Sequence, residues 1–457
     1  MSKDNKKSDP GQLLFSFNKS IAADFKGGKI SSDGGLILLR EFDKRISFTA
    51  GINNCIKDPR HPLFILHEQE ELLRQRMFQI ALGYEDADDS DVLRLDPLFQ
   101  LAVKNKEKRI SLFECEELAS QPTFSRLENR VREKELPIIN TFLTDNYLKS
   151  QQQPPKEVVL DLDSTDDPTH GNQQLSMFHG YYGQTMYHPL LITELTSKLI
   201  LGVFLRAGNA HTAENVVEYL SPVVTKIKGK FTKTKIILRE DSGFSSPKMY
   251  DYCKKENLSF VVGVATNNVL RKKSYPYLEK ARKLFKKSNG EPIKIYASFK
   301  YKAASWSRQQ RIVVKIEKNK HAEDIRYVAT NLKGKAKEIY EFYTKRGECE
   351  NRIEELKNGF KAGRLSCHNF FANYFRLLLH ACAYNFIALL RSSLNIPELA
   401  EAKIDTFRIK LLKVGAWIKK TTRKIWVHFS SSWPFGNLFV ETYKTITIRG
   451  APQFSLA

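Results

Sequence analysis

The spacing of apolar residues changes near residue 150 and divides the chain into two kinds of structure. Before this point apolar residues recur every three or four positions, which predicts a series of short helices. In "ISSDGGLILLREFDKR", Ser32 and Asp33 are predicted to cap one helix, and Gly83 is predicted to end the helix of "HEQEELLRQRMFQIALGYED". The glutamine- and proline-rich residues 150–155 predict a linker, so we expect a helical region over residues 1–150.

After the linker, alternating apolar residues predict strands. In "EVVLDLDST", Val158, Leu160 and Leu162 share one face, whereas Asp161 and Asp163 lie on the other. Strands also fit "HPLLITEL", "KLILGVFLR", "KTKIILRED" and "LSFVVGVA", and helices fit "TAENVVEYLSPVVTKI" and "SPKMYDYCKKEN". The order β-β-β-α-β-α-β predicts an antiparallel meander followed by parallel strands, and hence an α/β fold with a mixed sheet and flanking helices.

Residues 266–332 do not continue this alternation. The segments "EPIKIYASFKYKA", "RQQRIVVKIEK" and "DIRYVATNL" predict strands, and residues 271–287 contain eight Lys or Arg against one Glu. We interpret this interval as a β-rich, basic insertion. A buried helix is predicted over residues 370–392, and "RKIWVHFSSSWPF" predicts a final strand and turn in a basic tail. The predicted organisation is a helical region (1–150), a sheet domain in two parts (156–265 and 333–400), the insertion (266–332) and the tail (401–457).

The stretch "YTKRGECENRIEELKNGF", residues 343–360, is predicted to be a helix with two stripes. On a 3.6-residue period, one stripe is apolar and includes Phe342, Cys349, Ile353, Leu356 and Phe360. The second stripe lies about a quarter turn away and carries Tyr343, Arg346, Glu350 and Lys357. A solvated face with weak ion pairs is one interpretation of the second stripe.

Charge adds a prediction about partners. The chain contains 73 Lys and Arg against 51 Asp and Glu, which gives a net charge of +22 at pH 7. This balance favours binding to polyanions, namely DNA, RNA or an anionic membrane surface. A basic protein without such a partner is the alternative. For the N-terminal helices, DNA binding and a purely structural role are both open.

No sequence feature indicates a membrane protein or a secreted one. The polar N-terminus lacks the apolar core of a signal peptide, and the longest apolar run, near residues 377–390, is interrupted by His380 and Asn385. The six cysteines are scattered, without C-x-x-C or zinc-ligand spacing. We therefore expect a cytoplasmic protein with reduced cysteines.

Three acidic residues lie where the predicted elements could gather them. Asp163 ends the first strand, Asp241 ends the fourth strand in "REDSGF", and Glu350 lies on the charged stripe. Burying unpaired carboxylates is costly, and a divalent cation such as Mg²⁺ or Mn²⁺ offsets that cost because its preferred ligands are oxygens. Two such ions about 3.5–4 Å apart can activate a water or a 3′-OH in phosphodiester chemistry. Position alone leaves the choice open, because four neighbouring acids compete: Asp161, Asp166, Asp167 and Glu354.

Several motifs resemble those of one protein family. The spacing Tyr343-x2-Arg346-x3-Glu350-x6-Lys357 is similar to the Tyr-Arg-Glu-Lys signature of bacterial insertion-sequence transposases with a DDE active site. "LDLDSTDDPTHGNQQ" and "REDSGF" resemble the two aspartate motifs of the transposase DDE domain group 1 proteins. Also similar to that family are "ISSDGGLILLRE", "LRQRMFQIALGYEDADDSDVLRLDP", "LASQPTFSRLENR" and "GRLSCHNFFANYFRLLLHACAYN". The resemblance extends over nearly the whole chain.

The resemblance implies an RNase H-like catalytic domain with a β-strand insertion between the second aspartate and the glutamate, and cut-and-paste transposition with Mg²⁺ at three acids. Carried over by position, the catalytic and metal-binding residues are Asp163, Asp241 and Glu350. The Ser-Thr pair after Asp163 fits the family's first motif, and Glu350 rather than Glu354 fits the signature spacing. Glu240 stands where the family more often has a small residue, which places an unexplained charge beside Asp241.

The resemblance also implies contacts with DNA. Arg346 and Lys357 would contact phosphate near the cut, and Tyr343 would donate to a phosphate oxygen or stack. Related transposases with such an insertion can cleave the second strand through a DNA hairpin, held by a flipped base on an aromatic ring. Trp306, in "YKAASWSRQQR", is a candidate for that ring. Packing of Trp306 within the core of the insertion is the alternative.

Together these observations predict a DNA transposase of a bacterial insertion sequence, acting in the cytoplasm at the nucleoid. Its partners would be double-stranded DNA carrying the terminal inverted repeats of its own element, and target DNA, and its cofactors two Mg²⁺ or Mn²⁺ ions. A homodimer on DNA is expected because two ends must be paired. A transposase-derived DNA-binding protein without catalysis is one alternative, and a host nuclease of the same fold that prefers RNA–DNA hybrids is another.

Overall fold

Helices dominate the chain before residue 150, as the apolar spacing predicts. The computed structural model describes residues 12–18, 20–105, 116–394 and 396–447. The helices of the first region are α1 (Leu36–Ile46), α2 (Phe48–Asn53), α3 (Gln69–Leu82), α4 (Ser90–Leu93), α5 (Pro97–Val103), α6 (Gln121–Arg130) and α7 (Leu136–Ser150). Three two-residue strands precede them: β1 (Leu13–Leu14), β2 (Ala22–Ala23) and β3 (Ile30–Ser31). Helix α3 ends at Gly83, whose φ of 93° is the predicted left-handed stop.

The predicted caps of the first helix are wrong. Helix α1 begins at Leu36 after Gly35, and no side chain caps its first turn. The reason is a close approach of two chain segments, because a Cβ on Gly35 would lie 2.4 Å from the carbonyl oxygen of Leu411. Asp33 is buried instead and accepts hydrogen bonds from Lys413 (2.6 Å) and Tyr84 (2.8 Å).

A mixed sheet follows the linker in the predicted order. Its first five long strands and the two helices between them are β4 (Glu157–Ser164), β8 (Leu190–Glu194), β9 (Ile200–Phe204), α8 (Val216–Lys230), β10 (Lys235–Glu240), α9 (Pro247–Lys255) and β11 (Ser259–Val264). Strands β4, β8 and β9 form the predicted antiparallel meander, and β10 and β11 add to β4 in parallel. The resulting order β9-β8-β4-β10-β11 is that of an RNase H-like fold.

A small sheet that the sequence analysis did not predict lies between β4 and β8. It consists of β5 (Asp167–Pro168), β6 (Met177–His179) and β7 (Gln184–Tyr187), with β7 in the middle. These strands are two to four residues long, which is too short for an alternating pattern to be visible.

The predicted β-rich insertion differs from the structure in two respects. Its basic first part forms a helix, α10 (Asn268–Lys286), capped by the side chain of Asn267, which accepts from the Leu270 amide. Its three strands do not form a sheet of their own but continue the central one: β12 (Ile293–Tyr301), β13 (Gln310–Lys318) and β14 (Glu323–Thr330). Because β14 pairs with β11, the described residues form an eight-stranded sheet of order β12-β13-β14-β11-β10-β4-β8-β9.

The predicted single helix over residues 343–360 is two helices and a wider turn. They are α11 (Ala336–Thr344), α12 (Gly347–Glu354) and a π-helical turn (Glu355–Gly359). At the junction the amides of Arg346 and Cys349 bond to carbonyls only three residues back, which interrupts the α-helical pattern. The apolar stripe is confirmed from Cys349 to Phe360, since Cys349, Ile353, Leu356 and Phe360 are buried.

The C-terminal region packs on both preceding regions. Its elements are α13 (Phe370–Ser393), α14 (Pro397–Ala400), α15 (Ile404–Phe407), a π-helical turn (Arg408–Leu412), β15 (Ala416–Lys420), β16 (Ile425–Phe429) and α16 (Gly436–Thr447). The buried helix and the last strand were predicted, whereas β15 and α16 were not. Buried Arg408 donates to the carbonyls of Ala81 at 2.9 Å and Gly359 at 2.8 Å, and so joins the end of α3 to the end of the π-helical turn after α12. Among the described residues, no helix combines the length and apolar character needed to cross a bilayer.

Candidate active site at the carboxyl ends of two parallel strands

The parallel pairing of β4 and β10 brings Asp163 beside Asp241. Glu240 is paired with Leu162, so Asp163 and Asp241 follow on neighbouring strands, which lie about 4.8 Å apart in a sheet. Asp241 ends its strand and accepts a hydrogen bond from the Gly243 amide at 2.7 Å. The sheet therefore places two of the three predicted acids next to each other.

Arg346 connects the third acid to the first. Its Nη1 donates to Asp163 Oδ2 at 3.0 Å, and its Nη2 donates to Glu350 Oε1 at 2.9 Å. Burial raises the pKa of Asp163 to about 6; Arg346 opposes the shift, and the charges of Asp241 and Glu350 add to it. Asp241 and Glu350 thus lie close enough to Asp163 to influence its ionisation.

The Tyr343 hydroxyl lies near Asp241 because the neighbouring Gly263 has no side chain. A Cβ on Gly263 would lie 2.7 Å from the Tyr343 hydroxyl and 3.2 Å from the Asp241 carbonyl carbon. Burial raises the pKa of Tyr343, so its phenol remains a hydrogen-bond donor at neutral pH. Gly263 was missed in the sequence, although a glycine inside the strand "SFVVGV" is a recognised sign of close backbone approach.

Asp161 is distinguished from Asp163 by its partners. The Asp161 carboxylate is fully buried and receives Arg239 in a bidentate pair, with N–O distances of 2.6 and 2.8 Å. Arg352 lies 3.5 Å from the same carboxylate. Asp161 therefore has a structural charge partner of its own, and neither arginine was identified in the sequence because both come from distant segments.

The other acids that compete with Asp163 and Glu350 for a place in the site have different surroundings. Asp166 is paired with Lys357, and Asp167 is buried, with neither carboxylate oxygen hydrogen-bonded among the described residues. Burial raises the pKa of Asp167 to about 7. Glu354 is exposed and lines the same cavity as Glu350, one helical turn further along.

Lys357 connects the loop after β4 to the turn after α12. Its Nζ donates to Asp166 Oδ1 at 2.8 Å, to the Asp166 carbonyl at 2.7 Å and to Thr165 Oγ1 at 3.2 Å. Its side chain is half-buried at the edge of a cavity of about 350 Å³ that Asp163 and Glu350 also line. The phosphate contact predicted for Lys357 stays a prediction.

Trp306 is not placed for stacking on DNA. Its ring is buried and packs edge-on against Tyr250 on α9 and Tyr301 on β12, at centroid distances of 4.9 and 5.3 Å. Trp306 therefore packs in a core, as the alternative interpretation predicts. That core includes a residue of the central fold as well as one of the insertion. We therefore do not retain Trp306 as a DNA-binding residue.

Glu240, the unexplained acid beside Asp241, lies in the core. It is fully buried, and neither carboxylate oxygen has a hydrogen-bond donor among the described residues. Burial, and secondarily Asp241, raises the pKa of Glu240 well above its usual range. Burial therefore favours the neutral form of this side chain within the core.

The chemistry of the three acids suits a hard divalent cation. Among the described residues, Asp241 and Glu350 each keep one carboxylate oxygen without a protein donor, and carboxylate oxygens are the preferred ligands of Mg²⁺ and Mn²⁺. In the described conformation no group of three or more His, Cys, Asp or Glu side chains is gathered closely enough to hold a metal. The Arg346 guanidinium instead supplies the positive charge between Asp163 and Glu350.

An RNase H-like sheet with strand-end acids and a late helix carrying a glutamate defines a class of enzymes that act on nucleic acids. Residues 14–450 match the family model of the transposase DDE domain group 1. The chain therefore belongs to this transposase family, whose members generally use divalent metal ions.

Two further comparisons with known proteins give no additional support for a function. No curated protein matches the sequence. A solved piggyBac transposase synaptic complex with hairpin DNA aligns with a TM-score of 0.42 and 11% identity, covering 83% of this chain and 80% of the other. This likeness is too low to support an argument about function.

Proposed function

We propose that this protein is the DNA transposase of a bacterial insertion sequence, which cuts the ends of its element and joins them to target DNA. The observations that support the proposal are the placement of Asp163 beside Asp241 at the carboxyl ends of β4 and β10 and the link from Asp163 to Glu350 through Arg346. Family membership and the charge of +22 support DNA as the substrate.

The three acids would hold two Mg²⁺ or Mn²⁺ ions. Such ions supply an activated water or 3′-OH and stabilise the leaving oxygen in phosphodiester hydrolysis and strand transfer. The chain's own residues position the acids: Arg346 joins Asp163 to Glu350, and the buried face of α12 fixes the helix against the sheet. If bound ions became the charge partners of Asp163 and Glu350, the guanidinium of Arg346 would be free to contact a DNA phosphate.

Tyr343 lies near Asp241, and Lys357 lines the same cavity as Asp163 and Glu350. Tyr343 can donate its hydroxyl proton to a phosphate oxygen near Asp241, and Lys357 can provide a positive charge at the mouth of the cavity. Because both ends of an element must be held together, we propose that the protein acts as a homodimer on the terminal inverted repeats.

Replacement of the acids tests the proposal directly. We expect Asp163→Asn, Asp241→Asn and Glu350→Gln each to lower Mg²⁺-dependent cleavage of element-end DNA by about 1,000-fold or more, because each removes a ligand from an ion that supplies several kcal/mol of transition-state stabilisation. DNA binding, measured by gel shift, should persist in all three variants.

The matched control is Glu354→Gln, which changes an exposed glutamate on the same helix and should leave cleavage unchanged. Near-normal cleavage by any of the three acid variants would contradict the assignment. Absence of strand transfer by the unmodified protein with Mg²⁺ would favour the alternative of a DNA-binding protein without catalysis.

A further inference from the structure

The small C-terminal sheet has one buried and one exposed face. Strand β15 pairs with β16 on one side and with β3 on the other. We call residues 416–429 the C-terminal ribbon. Its inner face carries Ala416, Ile418, Val427 and Phe429, and the Phe429 ring packs against Phe439 of α16. The outer face of a sheet that packs on one side only is normally polar.

The outer face of the C-terminal ribbon carries exposed aromatic rings instead. Trp417 and Trp426 are 44% and 49% exposed, and His428 lies between them. The His428 ring stacks on Trp417 at 5.4 Å and on Trp426 at 5.9 Å. Ile30 extends this surface on β3, where it is paired with Trp417. A contiguous exposed apolar patch of this kind marks a binding surface.

Unpaired cations surround these rings. Residues 413–436 contain five Lys or Arg and no Asp or Glu. Among the described residues, four of these cations form no ion pair with protein: Lys419, Lys420, Arg423 and Lys424. Lys419 lies over the Trp417 ring at 5.9 Å, and Lys424 lies over the Trp426 ring at 5.6 Å. The surface therefore combines stacked rings with positive charge that forms no ion pair within the described part of the chain.

We propose that the outer face of the C-terminal ribbon binds duplex DNA outside the catalytic cavity. The choice of DNA rests on the proposed function, and the surface chemistry fits it: ammonium and guanidinium groups contact phosphates, while ring faces pack against the apolar sides of the sugars and bases. Beyond Ala416 and Trp417, where β3 pairs with β15, the strands β15 and β16 form a two-stranded antiparallel ribbon, and such a ribbon has the dimensions that the major groove admits.

A second copy of this chain is a poorer occupant of the same surface. Two ribbons meeting face to face would bring together Lys419 on the outer face and the cations near its turn from both copies, and like charges at an interface are unfavourable. Duplex DNA supplies the opposite charge at regular intervals along its whole length.

The segment that leads into the C-terminal ribbon is hydrogen-bonded to the π-helical turn that follows α12. The turn that leads into β15 contains Arg408, which donates to the Gly359 carbonyl at the end of the π-helical turn. The Ile404 amide donates to Glu355 Oε1 at 2.8 Å in the same region. DNA bound on the ribbon would therefore be held in a defined position relative to Glu350.

The first experiment measures how DNA affinity depends on salt. Binding of the full-length protein to a random-sequence duplex is measured in a chelator, so that no cleavage occurs. In a plot of log K against log salt, we expect the combined variant K419Q/K420Q/R423Q/K424Q to reduce the slope by up to about 3.6, since each phosphate contact contributes about 0.9.

The matched control removes four other exposed lysines that form no ion pair among the described residues: Lys230, Lys233, Lys254 and Lys255. They lie near the amino ends of β10 and β11, opposite to the acids, and their replacement by Gln should change the slope by less than about 1. An equal loss of slope in both variants would show that affinity follows total charge, and would overturn the proposal.

The second experiment separates the rings from the charges. We expect W417A/W426A to lower duplex affinity about tenfold or more at fixed salt without changing the slope, and W417F/W426F to restore much of the affinity. Unchanged melting temperatures would show that the variants are folded. Unchanged duplex affinity in both the Trp and the Lys/Arg variants would overturn the proposal.

Two other outcomes would also overturn it by assigning the surface to a different partner. Loss of binding to phosphatidylserine vesicles with unchanged DNA affinity would assign the surface to a membrane. Loss of self-association in sedimentation with unchanged DNA affinity would assign it to a second copy of the chain.

The two proposals fail in distinguishable ways. Cleavage that survives replacement of the acids would refute the proposed catalysis and leave the binding result intact, because the binding assay contains no free divalent metal. Acid-dependent cleavage together with unaltered binding by the ribbon variants would refute the ribbon proposal alone.

Discussion

At the scale of single residues, two aspartates of one strand have different environments because of their distant partners. Asp161 and Asp163 are two positions apart and lie on the same face of β4. Asp161 is matched by a buried arginine on β10, whereas Asp163 shares a partly exposed arginine with Glu350. Asp161 therefore has a buried charge partner of its own, whereas Asp163 keeps the surroundings that the proposed catalytic role requires.

This difference predicts opposite effects of one substitution at the two positions. We expect Asp161→Asn to lower the free energy of unfolding by about 3–5 kcal/mol, because it leaves Arg239 buried without a counter-charge. Asp163→Asn should leave stability unchanged or raise it, since burial already disfavours the ionised carboxylate. Urea unfolding of both variants measures the difference, and equal destabilisation would contradict the interpretation.

Asp167 predicts a pH dependence of stability. Its pKa is about 7 in the folded protein and about 4 in an unfolded chain, so folding favours the protonated form. The corresponding stability is fully present below pH 4 and is lost as pH rises through 7. The pKa of Asp163 is about 6 in the folded protein, so its contribution to stability has the same sign and is lost as pH rises through 6.

We therefore expect Asp167→Asn to reduce the fall in unfolding free energy between pH 4 and pH 8, without removing it. Urea titrations across this range measure the effect. Asp166→Asn is a useful control, because Lys357 lowers the pKa of Asp166 and its removal should change stability in the opposite direction as pH rises. A pH profile of Asp167→Asn identical to that of the unmodified protein would show that the Asp167 carboxyl is not perturbed.

At the scale of elements, the π-helical turn after α12 depends on a glycine. A Cβ on Gly359 would lie 2.3 Å from Ile404 Cγ2, and the Gly359 carbonyl accepts from Arg408. The π-helical turn that Gly359 ends therefore fits closely against the C-terminal region. A residue larger than glycine at this position would push the π-helical turn away from the C-terminal region.

We expect Gly359→Ala to destabilise the protein by about 1–3 kcal/mol, as overpacking in a core does. We also expect it to lower cleavage, because the turn that Gly359 ends directly follows α12, the helix that carries Glu350. Gly347→Ala is the matched control, because a Cβ there meets no atom within 4 Å, and it should be neutral or stabilising by about 0.5–1 kcal/mol. Thermal unfolding and cleavage assays of the pair measure both effects. Equal effects of the two variants would exclude the proposed role of the contact.

The elements also show which parts of the fold the sequence could predict. Strands β4 and β8 to β11, helix α13 and the end of α3 follow from periodicity and from Gly83, because these signals are local. The start of α1, the break at Arg346 and the partners of Asp161 depend on contacts with distant segments, which no local pattern records. The choice of Asp163 and Glu350 over their neighbours came from the family resemblance and not from periodicity.

At the scale of the whole molecule, the insertion is part of the structure that supports α11 and the segment after it. A second apolar core consists of Val261 on β11, Val313 and Val328 on the inserted strands, and Ile339 and Tyr340 on α11. Helix α11 ends just before Arg346, so the inserted strands support the segment that positions Arg346 and Glu350. The arrangement differs from an appended domain, which could be removed without exposing this core.

The last prediction follows from this arrangement. Replacing residues 266–332 by a short Gly-Ser linker would leave β11 as an exposed edge and remove one side of the core under α11, so we expect loss of the cooperative unfolding transition and aggregation. Val328→Ala is the milder test: it should cost about 2 kcal/mol, lower cleavage and leave the protein folded. Circular dichroism, size-exclusion chromatography and cleavage assays measure these effects. A soluble, cooperatively folding deletion variant would show that the central sheet is complete at β11, and that Arg346 and Glu350 are held without the inserted strands.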